Sequence, residues 1–153
     1  MTVTPTDVLR SYKKLLHRKD KKVLLKKLEA IEEINPDGAK FEAAVYSILQ
    51  SYNISVDFED DSKFGGADFR CVASDKSFVV EATSIETNSA ERITRLSNDQ
   101  RNIKAGFYSP YSKVWSKLKN KVNQVSQKKY DYARIIAIGS FHSESNTFFT
   151  GVV

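Results

Sequence analysis

The chain reads as an α/β domain: a helix, a three-stranded meander, a second helix and a closing strand, with two extra helices in front. Three observations predict this. Apolar residues recur at helical spacing over 38–52 and again over 110–125. Strand patterns fill 54–58 and 67–85, the second broken by the hairpin sequence Ala73-Ser74-Asp75-Lys76. Finally, Ala133-Arg134-Ile135-Ile136-Ala137-Ile138-Gly139 is a near-continuous apolar run, expected to form a central strand covered on both faces.

Each element has its own signals. Thr4-Pro5-Thr6-Asp7 is a helix start, with Thr4 as cap and Pro5 in the first position. That helix runs to about His17, and Asp20 opens a second one that reaches about Ile34. Asn35-Pro36-Asp37-Gly38 is expected to stop it. The next helix, from near Gly38 to near Tyr52, is assigned a buried stripe of Phe41, Ala44, Val45, Ile48, Leu49 and Tyr52. Ile54-Ser55-Val56-Asp57-Phe58 alternates as a half-exposed strand, and Glu59 to Lys63 reads as a polar loop. Strands near 67–72 and 77–85 follow. A long polar connection, Glu86 to Ser109, holds some helix around Ala90–Leu96. Ser109-Pro110 opens the last helix, whose Val114, Trp115, Leu118, Val122 and Val125 are expected to face the core.

At 153 residues the chain fits one domain, 1–153, with a basic helical extension (1–37), a core (38–140) and an added strand within 141–153. Its 41% hydrophobic and 28% charged residues are ordinary for a soluble protein. There is no apolar run long enough for a membrane span and no secretory pattern at the start, so a cytoplasmic location without membrane contact is expected. One cysteine, Cys71, excludes an internal disulfide and a Cys-rich zinc site.

The net charge of +5 is unevenly placed. Lys13, Lys14, Lys21 and Lys22 belong to a dense basic run between Arg10 and Lys27. Arg92, Arg95 and Arg101 lie in the long connection, and Lys117 belongs to a second basic group that runs from Lys113 to Lys129. Such patches suit a polyanion through counterion release, and these residues are the candidate nucleic-acid contacts.

Against that basic background, two acids sit inside apolar strands: Asp68 in Gly65-Gly66-Ala67-Asp68-Phe69, and Glu81 in Phe78-Val79-Val80-Glu81-Ala82-Thr83. Burying carboxylates is unfavourable unless something positive compensates them, and a divalent metal is a common compensation. Residues 81 and 83 share a strand face, and Asp68 lies across the hairpin from them. On the last helix Lys117, Lys121, Gln124 and Lys128 form one stripe beside the apolar face, with Lys121 nearest to it. Glu42 stands at the edge of the apolar stripe of its helix. Each has a plainer reading: Asp68 as a turn residue, Glu42 as a helix-dipole partner, Lys121 and Gln124 as a solvated edge. Their joint occurrence in this order favours a shared site.

The set resembles the PD-(D/E)XK, or restriction-endonuclease-like, nuclease superfamily over roughly Gly38 to Ser140. In that family a helix Glu, an Asp opening the second strand and a Glu-x-Lys on the third strand surround the metal. Glu42, Asp68 and Glu81-Ala82-Thr83 match those places, with Ala67 where the family has proline and Thr83 where it has lysine. Family members with a migrated lysine carry it on the following helix, and Lys121-x-x-Gln124 resembles that arrangement. The resemblance implies a nuclease dependent on Mg²⁺ (or Mn²⁺) and acting on DNA, with Asp68, Glu81 and Glu42 at the metal and Lys121 and Gln124 at the attacking water. Many nucleases of this fold act as dimers, so a homodimer is compatible with it. The missing strand lysine keeps open an alternative: a catalytically silent nucleic-acid-binding or assembly module on the same fold.

Overall fold

The computed structural model describes Arg10 and residues 36–59, 66–94, 111–127 and 129–141. The expectations for the other N-terminal residues, including Lys13, Lys14, Lys21 and Lys22, lie outside these, as do Arg95, Arg101 and the added strand within 142–153. The described elements are α1 (Pro36–Ser51), β1 (Ser55–Phe58), β2 (Phe69–Ala73), β3 (Lys76–Ile85), α2 (Thr87–Thr94), α3 (Tyr111–Gln127) and β4 (Ala133–Ser140). The sheet has the order β1-β2-β3-β4. The first three strands pair antiparallel, and β4 runs parallel to β3. The chain is thus an α/β protein with a mixed sheet.

Local chemistry explains the boundaries. Pro36 opens α1, because proline fits the first helical position, where no N–H is needed; the helix expected to end before it lies outside the described residues. Asp37 follows in the first turn and also accepts a hydrogen bond from the Thr87 amide at the start of α2 (2.8 Å). The far end of α1 is closed by Asn53 at φ 58°, a left-handed conformation that asparagine tolerates. There the Ile54 amide donates to the Leu49 carbonyl (3.2 Å) and the Asn53 amide to that of Gln50 (3.0 Å), satisfying carbonyls the helix leaves open. Ser74, at φ 56°, turns the chain tightly between β2 and β3.

The two faces of the sheet are filled differently. Against α1 lie Val56, Phe69, Cys71, Val80 and Ala82, packed on Ala43, Val45 and Tyr46. The Phe69 ring sits 6.2 Å from Tyr46 and 5.8 Å from Phe58, centroid to centroid. Phe41 closes down on Gly139 of β4, where any Cβ would overlap its ring. Against α3 the apolar contacts are smaller: Val79 and Ala67 meet Val125 and Tyr130, and Ile85 meets Val114.

Several expectations need correction. Ile48 and Tyr52 are exposed. Burial in α1 is concentrated between Ala39 and Tyr46, and Tyr52 lies in the closing turn, where helical spacing no longer applies. Trp115 (69% exposed) and Val122 do not face the core. The inward stripe is Val114, Leu118, Lys121 and Val125, a narrower band than five apolar residues suggested. Among the described residues β4 lies at the sheet edge, pairing with β3 alone, and its Ile135 is exposed, so the coverage expected on both faces is incomplete. Helix α2 begins at Thr87, earlier than the Ala90 expected. Glu59, expected to begin a polar loop, is buried directly after β1, and the rest of that loop lies outside the described residues. Among the described residues no helix is long and apolar enough to cross a membrane.

Candidate functional site

Strand register brings the two acids together. Phe69 pairs with Val80, and both turn towards α1, so Asp68 and Glu81, one step beyond each, turn towards α3. Asp68 stands where β2 pairing ends. Its amide donates to the Val80 carbonyl (3.0 Å), and its Oδ2 accepts from the Ala82 amide (2.8 Å), filling a ladder position that β2 no longer supplies. This sheet-closing role is structural, and it also fixes the carboxylate beside Glu81.

Helix α3 brings the cation. Val114 and Leu118 anchor its first half against Ile85 and Ile138, and Val125 anchors its second half against Val79. Lys121, between these anchors, therefore points at the sheet. Its Nζ donates to Glu81 Oε1 (2.5 Å) and to Gln124 Oε1 (3.0 Å). Gln124 Nε2 in turn donates to the Gly66 carbonyl and to Glu81 Oε1, both at 3.3 Å. The amide is thus oriented at both ends. Tyr130 secures the segment below it, its hydroxyl accepting from the Ala67 amide (3.0 Å).

Glu81 is the electrostatic centre of the group. Its side chain is 2% exposed, and burial together with the neighbouring Asp68 charge raises its pKa from 4.5 to about 7, against the opposing pull of Lys121. Oε1 takes both hydrogen bonds, whereas Oε2 is buried without a donor. The Asp68 carboxyl is close enough to bond the protonated form of Glu81. Two acids facing one another in this way are stabilised by a proton held between them or by a cation in its place. The donor set, two carboxylates with an orphaned oxygen, fits a small hard cation.

A second charged pair, unseen in the sequence reading, adjoins the first. The Glu59 amide donates to the Asp68 carbonyl (3.0 Å), which aligns Glu59 beside Asp68 across the β1–β2 edge. Arg70 Nε donates to Glu59 Oε2 (2.8 Å). Alternation held the signal: Val56 and Phe58 face α1, so Asp57 and Glu59 must face the other way. Assigning Glu59 to a loop hid it.

The remaining expected residues are more dispersed. Glu42 is half-buried on α1, the helix of the opposite face. Among the described residues no group of three or more His, Cys, Asp or Glu is placed to hold a metal, so Glu42 does not join Asp68 and Glu81 as a third acid. Thr83 is buried on β3 two residues beyond Glu81. Lys117 lies partly buried, one turn before Lys121. Arg92 belongs to α2, with its side chain outside the described residues. No family model matches the chain, and neither a curated protein nor a solved structure does.

Proposed function

We propose that the protein is a metal-dependent nuclease with a restriction-endonuclease-like core, hydrolysing phosphodiester bonds in DNA. One observation carries the reading: Glu81 is buried against Asp68 with an unpartnered oxygen, while an ammonium reaches it from a separate helix. A buried acid beside a half-buried one, with a lysine at its edge, is a poor device for stability, since replacing such groups by apolar ones is often neutral or favourable. It is a good device for chemistry on a phosphate. The element order, helix, antiparallel meander, two helices and parallel strand, is compatible with that family as with other α/β folds.

Asp68 and Glu81 would hold Mg²⁺ or Mn²⁺. Bound there, the ion would lower the pKa of a water and offset charge on the phosphate. The chain's own groups do the rest. Lys121, held by Glu81 and Gln124, orients the attacking water and opposes developing negative charge, taking the place that Thr83 cannot fill. Gln124 keeps Lys121 in place and fixes the Gly66 backbone. The lysine-rich flank of α3 and the basic N-terminal segment would hold the substrate backbone, with duplex cutting by a homodimer as one arrangement.

A second reading has its own support. The same Lys121–Glu81 contact that supplies a catalytic ammonium also neutralises a carboxylate a metal would need. Together with Thr83, it fits a silent nucleic-acid-binding or assembly module. Glu81→Ala separates the two. In the nuclease it lowers Mg²⁺-dependent cleavage of DNA by about 10³-fold or more while leaving low-salt binding largely intact. Wild-type protein that binds DNA with a steep salt dependence, yet neither cleaves it nor binds Mn²⁺ in calorimetry, is the silent module.

A further inference from the structure

We propose that Arg70 binds a substrate phosphate beside the acidic pair, oriented by the buried carboxylate of Glu59; this deepens the nuclease reading and rests on it. The placement follows from strand register. Asp57 pairs with Arg70, and Glu59 is joined to Asp68, so all four residues lie on the sheet face that Glu81 shares. Helix α3 covers that face over β3, and through Gln124 it reaches as far as Gly66. Beyond it, among the described residues, the floor is uncovered: Ser55, Asp57, Arg70 and Val72 are exposed. The result is a shelf, with the lysine-bearing flank of α3 as its wall and the acids where wall and floor meet.

Arg70 is two residues from Asp68, about 7 Å along the strand. Its Nε contact with Glu59, which lies beside Asp68, draws the guanidinium back towards the acids. The two partners differ sharply in exposure. The Glu59 side chain is 2% exposed, whereas that of Arg70 is 53% exposed. A buried acceptor gripping an exposed guanidinium sets the direction of a planar donor array suited to phosphate oxygens. An ordinary surface ion pair has no reason to bury one partner. On this face Arg70 and Lys121 stand against Asp57, Glu59, Asp68 and Glu81, so a phosphate would be held there by directed hydrogen bonds from the two cations and not by local net charge.

The test uses the full chain and a labelled DNA duplex, with binding measured in EDTA and cleavage in Mg²⁺. Arg70→Lys keeps the charge and loses the planar fork; binding should weaken about tenfold. Glu59→Gln removes one negative charge from the protein, so simple electrostatics predicts tighter binding, whereas loss of orientation predicts weaker binding. Weaker binding by both variants, at melting temperatures near wild type, supports the proposal. Wild-type affinity in Arg70→Lys overturns it, as does tighter binding by Glu59→Gln. Should Glu59→Gln fail to fold, Arg70→Lys, at an exposed strand position, decides alone. Because binding is read in EDTA, the outcomes separate from those of the nuclease reading. An uncleaved duplex that Arg70→Lys still binds poorly leaves the phosphate contact standing and removes the nuclease. Cleavage with both variants indistinguishable from wild type does the reverse.

Discussion

The two faces of the sheet obey different rules. Towards α1, β1, β2 and β3 present Val56, Phe69, Cys71, Val80 and Ala82, a continuous apolar layer closed by aromatic rings. Towards α3 the same strands, with their flanking residues, present Asp57, Glu59, Asp68, Arg70, Glu81 and Thr83, and the helix answers with Lys121 and Gln124. The first face does what burial does best, removing apolar surface from water. The second places ionisable groups where desolvation works against them. A fold can tolerate the second because the first is complete.

This contrast can be broken or sharpened by substitution. The largest effect is expected on the apolar face. Phe69→Ala should destabilise the protein by about 3–5 kcal/mol, since a fully buried ring is lost from the middle of the layer. Urea denaturation checks this, and a loss below about 1 kcal/mol would mean that the layer is not the main source of stability.

The next effect belongs to the charged face and appears as a pH dependence. Glu81 titrates near 7 in the folded protein and near 4.5 when unfolded. Between these values the folded state holds the extra proton, so stability from this group is full below about 4.5 and is lost as pH rises through about 7. The total is about 3 kcal/mol for a side chain this buried. In divalent-free buffer Glu81→Gln should remove the slope and leave the variant more stable than wild type at pH 8. Parallel slopes in the two proteins would show that the buried acid carries no such penalty.

The smallest effect is expected for Asp68→Asn. Asparagine still offers an oxygen to the Ala82 amide, so stability at pH 5 should change by no more than about 1 kcal/mol. The pH slope should shrink, because the charge that helps raise Glu81 is gone. A loss of several kcal/mol would instead make Asp68 chiefly a sheet-closing residue and sharpen the division between structure and chemistry.

Much of this organisation was legible in the chain. The Ala73–Lys76 turn, the strands around it and the helix with Lys121 follow from period and turn chemistry, which are local properties. Asp68 and Glu81 stood out because acids interrupt apolar strands. Glu59 did not, since its polar neighbours made it resemble a loop. Trp115 and Val122 misled for the opposite reason: periodicity marks an apolar stripe but cannot say how wide a band the sheet will cover.

By itself the amino-acid order determined the α/β class, the hairpin that sets Asp68 across from Glu81, and the helical spacing that lines Lys121 up with Val114, Leu118 and Val125. Only the tertiary structure decided that β4 pairs with β3 alone among the described strands, that Lys121 reaches Glu81, and that Glu59 goes under while Arg70 stays out. Hydrogen-bonding period and turn geometry act between near neighbours in the chain. Desolvation and ion pairing act between groups that only the finished fold brings within a few ångströms, here across separations as long as that from Glu81 to Lys121.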